Sequence, residues 1–275
     1  MGVISKRSEV WVFIALIIGA NAVFVGAIAS GVLPRSFYAS GRFALLAILL
    51  FSVVFALRRW SGIAHLLRPL LKFNVPIKWY VLAVCWAPLH CMVLLLFKFL
   101  FSNAGSAELA LSFSVIARPS ILKVIIISSL IGEIVWISYA VRQLSERTTY
   151  YISGCIVGFF WTLWWMPMVF YNIGIVPDLP VLGLLFLQTG VALMCAFLYA
   201  HTHSAVVILM MQVSFNSSIL AFPVMPTTGG VGTYWMFAIL YFSTATLMFA
   251  VFGPKPLLGT AARKLSSSSV RTQGE

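Results

Sequence analysis

Residues Ile131–Pro167 read IGEIVWISYAVRQLSERTTYYISGCIVGFFWTLWWMP, two apolar runs joined by a short polar turn that carries Arg142, Glu146 and Arg147. The first run holds Glu133, an acid in a stretch otherwise suited to hydrocarbon, and the second ends in a tight cluster of tryptophans. Each run is long enough to cross a hydrocarbon core of about 30 Å as a helix. An ionisable residue at that depth costs roughly 2.5–3.5 kcal/mol even on the mildest insertion scale, and such residues face a protein interior or a cavity. The stretch therefore predicts two membrane helices with Glu133 turned inward as a candidate site residue.

The rest of the chain extends the same pattern. Of its 275 residues 61% are hydrophobic and 9% charged, with a mean hydropathy of +1.03, which excludes an ordinary soluble globule, where about a quarter of residues are charged. Eight apolar runs can be drawn, over Val10–Ala29, Ala39–Leu57, Trp79–Leu100, Ile121–Val141, Tyr151–Tyr171, Leu179–Ala200, Ser204–Phe222 and Tyr234–Phe252. The expected fold is an all-α polytopic integral membrane protein of eight transmembrane helices, one domain over residues 1–254. A basic, serine-rich tail over residues 255–275 has little to bury and is expected to be disordered.

Charge placement sets the expected orientation. With the N-terminus inside, only Arg35, Arg42, Lys98, Arg118 and Lys123 of the 18 Lys and Arg fall on the outer side, and basic residues are retained on the cytoplasmic face. Both termini are thus expected in the cytoplasm. The net charge of +12 reports this topology and attraction to anionic headgroups, and calls for no nucleic acid. Arg42 trims the second run. The basic segment Arg58–Lys78 is expected as a cytoplasmic loop, ending at the interfacial pair Trp79-Tyr80.

Other polar residues give weaker signals. Cys85, Cys91, Cys155 and Cys195 all lie within predicted spans without metal-ligand spacing. His90 sits alone in the third run, and His201 and His203 flank a turn at the membrane edge, so neither a metal nor another cofactor is expected. Gln212 and Asn216 lie about midway along the seventh run. By i, i+4 spacing Glu133 shares a helix face with Ile137, Trp161 with Trp165, and Gln212 with Asn216, and the three pairs are candidates to converge on one cavity.

These same residues resemble the CAAX protease and bacteriocin-processing family of intramembrane proteases. Its first motif reads Glu-Glu-x-x-Trp-Arg-Gly-aromatic, and GEIVWISY places Glu133, Trp136 and Tyr139 in register, with Gly132 at the first Glu, Ile137 at the Arg and Ser138 at the Gly. Its second reads Trp-Gly-Leu-Trp-His-x-Pro in many members, and WTLWWMP from Trp161 to Pro167 aligns with it, Trp165 standing at the histidine. The third, His-x-x-x-Asn led by Thr-x-Ser, aligns with Gln212–Asn216 behind Thr202 and Ser204. The resemblance covers about residues 66–216, and three motifs in order are more specific than any one.

The resemblance implies a CAAX-protease-like helical bundle in a bacterial plasma membrane. In active members the first Glu and the first His hold and activate a water, and the second His and the Asn polarise the scissile carbonyl. Here the water-activating positions are Gly132 and Trp165, while Gln212 and Asn216 retain amide donors. That points to a pseudoprotease binding a membrane-protein or peptide partner, as scaffold, regulator or immunity factor, with Glu133, Trp136, Trp161, Gln212 and Asn216 as cavity candidates. Two alternatives stay open: an active endopeptidase using Glu133 with His90, and a small-solute or lipid transporter with Glu133, Gln212 and Asn216 lining a midplane site.

Overall fold

A computed structural model describes residues 8–101, 110–174, 176–177 and 179–254. The Lys6-Arg7 pair, Asp178 and the serine-rich tail lie outside these. The described chain is all-α, with eight helices long and apolar enough to cross a membrane: α1 (Glu9–Ala29), α2 (Tyr38–Leu67), α3 (Ile77–Phe101), α4 (Pro119–Ser145), α5 (Tyr150–Tyr171), α6 (Val181–Thr202), α7 (Ala205–Ala221) and α8 (Val231–Phe252). It is a polytopic membrane protein, and each predicted run has become one helix.

The largest departure from the predicted boundaries is in α2. The helix continues past Leu57 to Leu67, and its backbone leaves helical geometry only at Arg59, with φ 54° and ψ −154°. The expected end of the span is therefore a bend, and much of the segment expected as a basic loop is helical. The part of the α3–α4 connection that is described, a turn of helix at Phe113–Ile116, is tied to the end of α7 by the Ser112 N–H donating to the Ala221 carbonyl at 2.8 Å.

Lipid tails are as apolar as leucine, so helices in a bilayer associate through close packing and hydrogen bonds instead of hydrophobic exclusion, and small residues let backbones approach. α5 carries such a seam at Gly154 and Gly158. A Cβ at Gly158 would lie 2.4 Å from the Thr189 Cα, and one at Gly154 would lie 3.2 Å from the Leu193 Cα. On α6 a Cβ at Gly190 would meet the Phe242 backbone of α8 at 3.0 Å. Held from both sides, α6 is the central pillar, buried at every residue from Leu187 to Tyr199.

α4 is the second buried element. It is α-helical over Pro119–Gly132, π-helical over Glu133–Val141 and α-helical again over Arg142–Ser145. Every residue of the π stretch is buried, enclosed by α2, α5, α6 and α7. At its lower end a polar cluster ties three helices together. The buried Glu9 of α1 pairs with Arg58 Nη2 of α2 at 2.7 Å and accepts from the Tyr139 hydroxyl of α4 at 3.0 Å. This end carries Arg58, Arg142 and Arg147, and the opposite end carries Tyr38, Gly174 and Met225, because successive helices run in alternating directions.

Candidate binding cavity

α4 is π-wound from Glu133, directly after a residue that it presents to the cavity, Gly132. A π-helix bonds i to i+5 instead of i+4, and here the Ser138 hydroxyl donates to Glu133 Oε1 at 2.6 Å. Glu133 is held by Ser138, five residues on, and Ile137 is fully buried like it. Glu133 is 0% exposed and its Oε2 has no hydrogen-bond partner. It lines neither of the two cavity lobes described below.

Gly132, one residue earlier and so about 100° round the helix, points the other way. A Cβ there would lie 3.0 Å from Gln212 Oε1 and 3.9 Å from Trp161 Cζ2. Trp136, four residues on, lines the same space and stacks on Trp161, with ring centroids 5.7 Å apart and planes 18° from parallel. The pair that α4 presents to the cavity is Gly132 with Trp136, and Ile137 stays in closed packing.

α5 supplies the tryptophan wall. Trp161 and Trp165 lie a turn apart, as their spacing predicts, and Trp164 meets Trp136 and Trp165 edge-on at 6.2 and 6.1 Å. From α7, Gln212 and Asn216 project into the same space. Asn216 Nδ2 donates to the Ser129 hydroxyl of α4 at 3.0 Å. Gln212 is 3% exposed, and its Nε2 makes no hydrogen bond.

These residues bound a space of two lobes. One, of about 220 Å³, runs along Tyr38, Arg42, Ser128, Gly132 and Trp136. The other, of about 240 Å³, is lined by leucines of α6 with Phe215, Ile219 and Met225. Trp161, Trp165, Gly174, Gln212 and Asn216 border both. Trp165, at the position where the resembled motif has histidine, stands between the lobes. Together the lobes fall in the range of about 300–1,000 Å³ usual for small-molecule sites.

Of the expected convergence, the Trp161/Trp165 and Gln212/Asn216 pairs meet at the cavity and the Glu133/Ile137 pair does not. His90 is elsewhere: its Nδ1 meets the Trp86 carbonyl at 2.7 Å and its Nε2 the Thr244 hydroxyl at 2.7 Å, in a separate groove between α3 and α8. It is not assembled with Glu133. His201 is held by the Phe197 carbonyl at 2.9 Å and lies against the Trp79 ring.

One cavity residue, Arg42, and the Asn21 that holds it are not among the candidates drawn from the sequence, where Arg42 figures only as a charge trimming the second run. Arg42 of α2 is 2% exposed and lies over the Trp164 ring, its Cζ 3.3 Å from the centroid. Asn21 of α1 accepts from Arg42 Nε at 3.1 Å and donates to the Trp164 carbonyl at 2.7 Å, joining α1, α2 and α5. The signal was present: each is a lone strongly polar residue in an apolar run. No protein-family model matches the chain, and no curated protein sequence matches it.

Proposed function

We propose that this chain is a CAAX-protease-like membrane protein without proteolytic activity, which uses the cavity between α2, α4, α5 and α7 to bind a membrane-embedded partner. The observation that carries the reading is the side on which the acid lies. At the cavity surface the positions aligned with the water-activating pair are Gly132 and Trp165, and the nearby carboxylate, Glu133, is bonded to Ser138 outside both lobes. A peptide bond away from bulk water needs an activated water. Loss of a general base alone removes roughly 10² to 10⁴ in rate, and groups that act as a unit are lost non-additively.

What remains at the wall is a set of hydrogen-bond donors, Gln212 and Asn216, beside a large aromatic surface. Such a set holds a polar group without transforming it. In this reading the chain sits in a bacterial plasma membrane with both termini cytoplasmic, and acts as a scaffold, regulator or immunity factor. The test is a cleavage assay in proteoliposomes against prenylated and transmembrane peptides, comparing the unaltered chain with Glu133→Gln. Neither is expected to yield product; cleavage by the unaltered chain that Glu133→Gln abolishes would overturn the proposal.

A further inference from the structure

Arg42 is a buried cation for which the described residues supply no anion. Its guanidinium carries charge at any physiological pH, and a buried charge without compensation is among the costliest groups a protein can hold. Its Nε donates to Asn21 Oδ1, its Nη1 donates to the Tyr38 hydroxyl oxygen at 3.3 Å, and its Nη2 has no hydrogen-bond partner. The rings of Trp164 and Trp165, with centroids 3.3 and 4.5 Å from its Cζ, stabilise the cation through their faces but bring no negative charge. Among the described residues no carboxylate pairs with it: Glu9 is engaged by Arg58 and Glu133 by Ser138.

The guanidinium lines the smaller lobe together with Tyr38, Ser128, Gln212 and Asn216. The Tyr38 hydroxyl donates to Met168 Sδ or the Gly174 carbonyl, the Ser128 hydroxyl to the Ile125 carbonyl and Asn216 Nδ2 to Ser129, so the unmatched donors in this wall include Arg42 Nη2 and Gln212 Nε2. Arg42 lies one turn into α2, about 6 Å along the axis from its start, and the exposed Ala39 and Gly174 border the lobe at that end. The adjoining lobe is lined mainly by Leu179, Leu184, Leu187, Phe215, Ile219 and Met225. A lobe lined by a cation thus lies beside one of similar size whose described lining has no charged side chain, and Trp161, Trp165, Gly174, Gln212 and Asn216 belong to both.

We propose that the two lobes form one binding site for an amphiphile with an oxyanion head, a phosphate or carboxylate held by Arg42 and Gln212, whose hydrocarbon chain passes Trp165 into the apolar lobe. This rests on reading the cavity as a binding site and not on the family resemblance. Planar guanidinium groups match phosphate and carboxylate oxygens in two-point contact, and the head would supply the charge that Arg42 lacks.

Native mass spectrometry of the full chain in an uncharged detergent tests the assignment, with oleoyl lysophosphatidate, oleate, uncharged monoolein and inorganic phosphate as probes. One lysophosphatidate or oleate per chain is expected, bound about tenfold or more tighter than monoolein. Arg42→Gln is expected to erase that preference and Arg42→Lys to keep part of it. Monoolein binding as tightly as the acids overturns the proposal, as does a preference that survives Arg42→Gln. Displacement of lysophosphatidate by equimolar inorganic phosphate overturns the role given to the chain. Should Arg42→Gln not fold, the head-group preference of the unaltered protein decides alone. Binding and cleavage are separate readouts, so failure here leaves the absence of proteolysis standing, and proteolysis would leave this binding measurable.

Discussion

Among the described residues Ser138 is the one donor that reaches the Glu133 carboxyl, across a 2.6 Å hydrogen bond inside the π stretch. Ser138→Ala leaves a buried acid unpaired, a loss of about 1–3 kcal/mol, and is expected to lower the thermal unfolding midpoint. Glu133→Gln retains an acceptor for the serine and is expected to unfold close to the unaltered chain. If Ser138→Ala unfolds at the same temperature as the unaltered chain, the hydrogen bond does not hold the π stretch. Asn21→Leu strands both Arg42 Nε and the Trp164 carbonyl, and is expected to destabilise more than Ser138→Ala. At this scale the sequence made the tryptophans, Gln212, Asn216 and Glu133 visible because each is conspicuous in an apolar run. Asn21 is not among them, and Arg42 reads from the sequence as an outer-side charge that trims its run, for a physical reason. Near a span end an arginine can reach water along its flexible stem, so its inward fold depends on Asn21 and the Trp164 ring arriving from other helices.

Helix α4 shows where periodicity stops being a guide. Eight spans were legible because hydropathy and length alone determine them, and the i, i+4 pairs on α5 and α7 held because those helices are α-wound at the relevant turns. The π winding over Glu133–Val141 accompanies a hydrogen bond from Ser138 to Glu133, five residues apart, and Glu133 and Ile137 both lie in closed packing, so periodicity named the pair without giving the side it faces. The bend at Arg59 was missed for a related reason: the end of an apolar run marks where hydrocarbon burial stops, not where helical hydrogen bonding does. The α5–α6 seam supplies the test at this scale. Gly158→Val would set side-chain carbons against the Thr189 backbone, and overpacking of this kind costs about 1–3 kcal/mol. A lower unfolding midpoint in detergent is expected, with Gly19→Val, whose Cβ would meet nothing within 4 Å, as the control. Equal midpoints for the two would show that the seam is not closely packed in the membrane.

Across the whole molecule, the main apolar core runs from Val10 to Phe249 and encloses the π stretch with its acid, a smaller cluster gathers Val25, Ile28, Met168 and Ile173, and the cavity opens between α2 and α4 towards the end that carries Tyr38 and Gly174. The reading of this cavity as a place of binding depends on one geometric claim: neighbouring positions 132 and 133 face opposite environments, Gly132 the cavity and Glu133 the closed core. Cysteine labelling in intact cells measures that most directly. On a background in which Cys85, Cys91, Cys155 and Cys195 are replaced by alanine, Gly132→Cys and Glu133→Cys would each be exposed to a small, membrane-impermeant methanethiosulfonate reagent added from outside. Labelling of Gly132→Cys, slowed by oleate, with Glu133→Cys unmodified until the protein is unfolded, is the result expected. Labelling of Glu133→Cys as fast as Gly132→Cys would place the acid in the cavity after all and contradict the account.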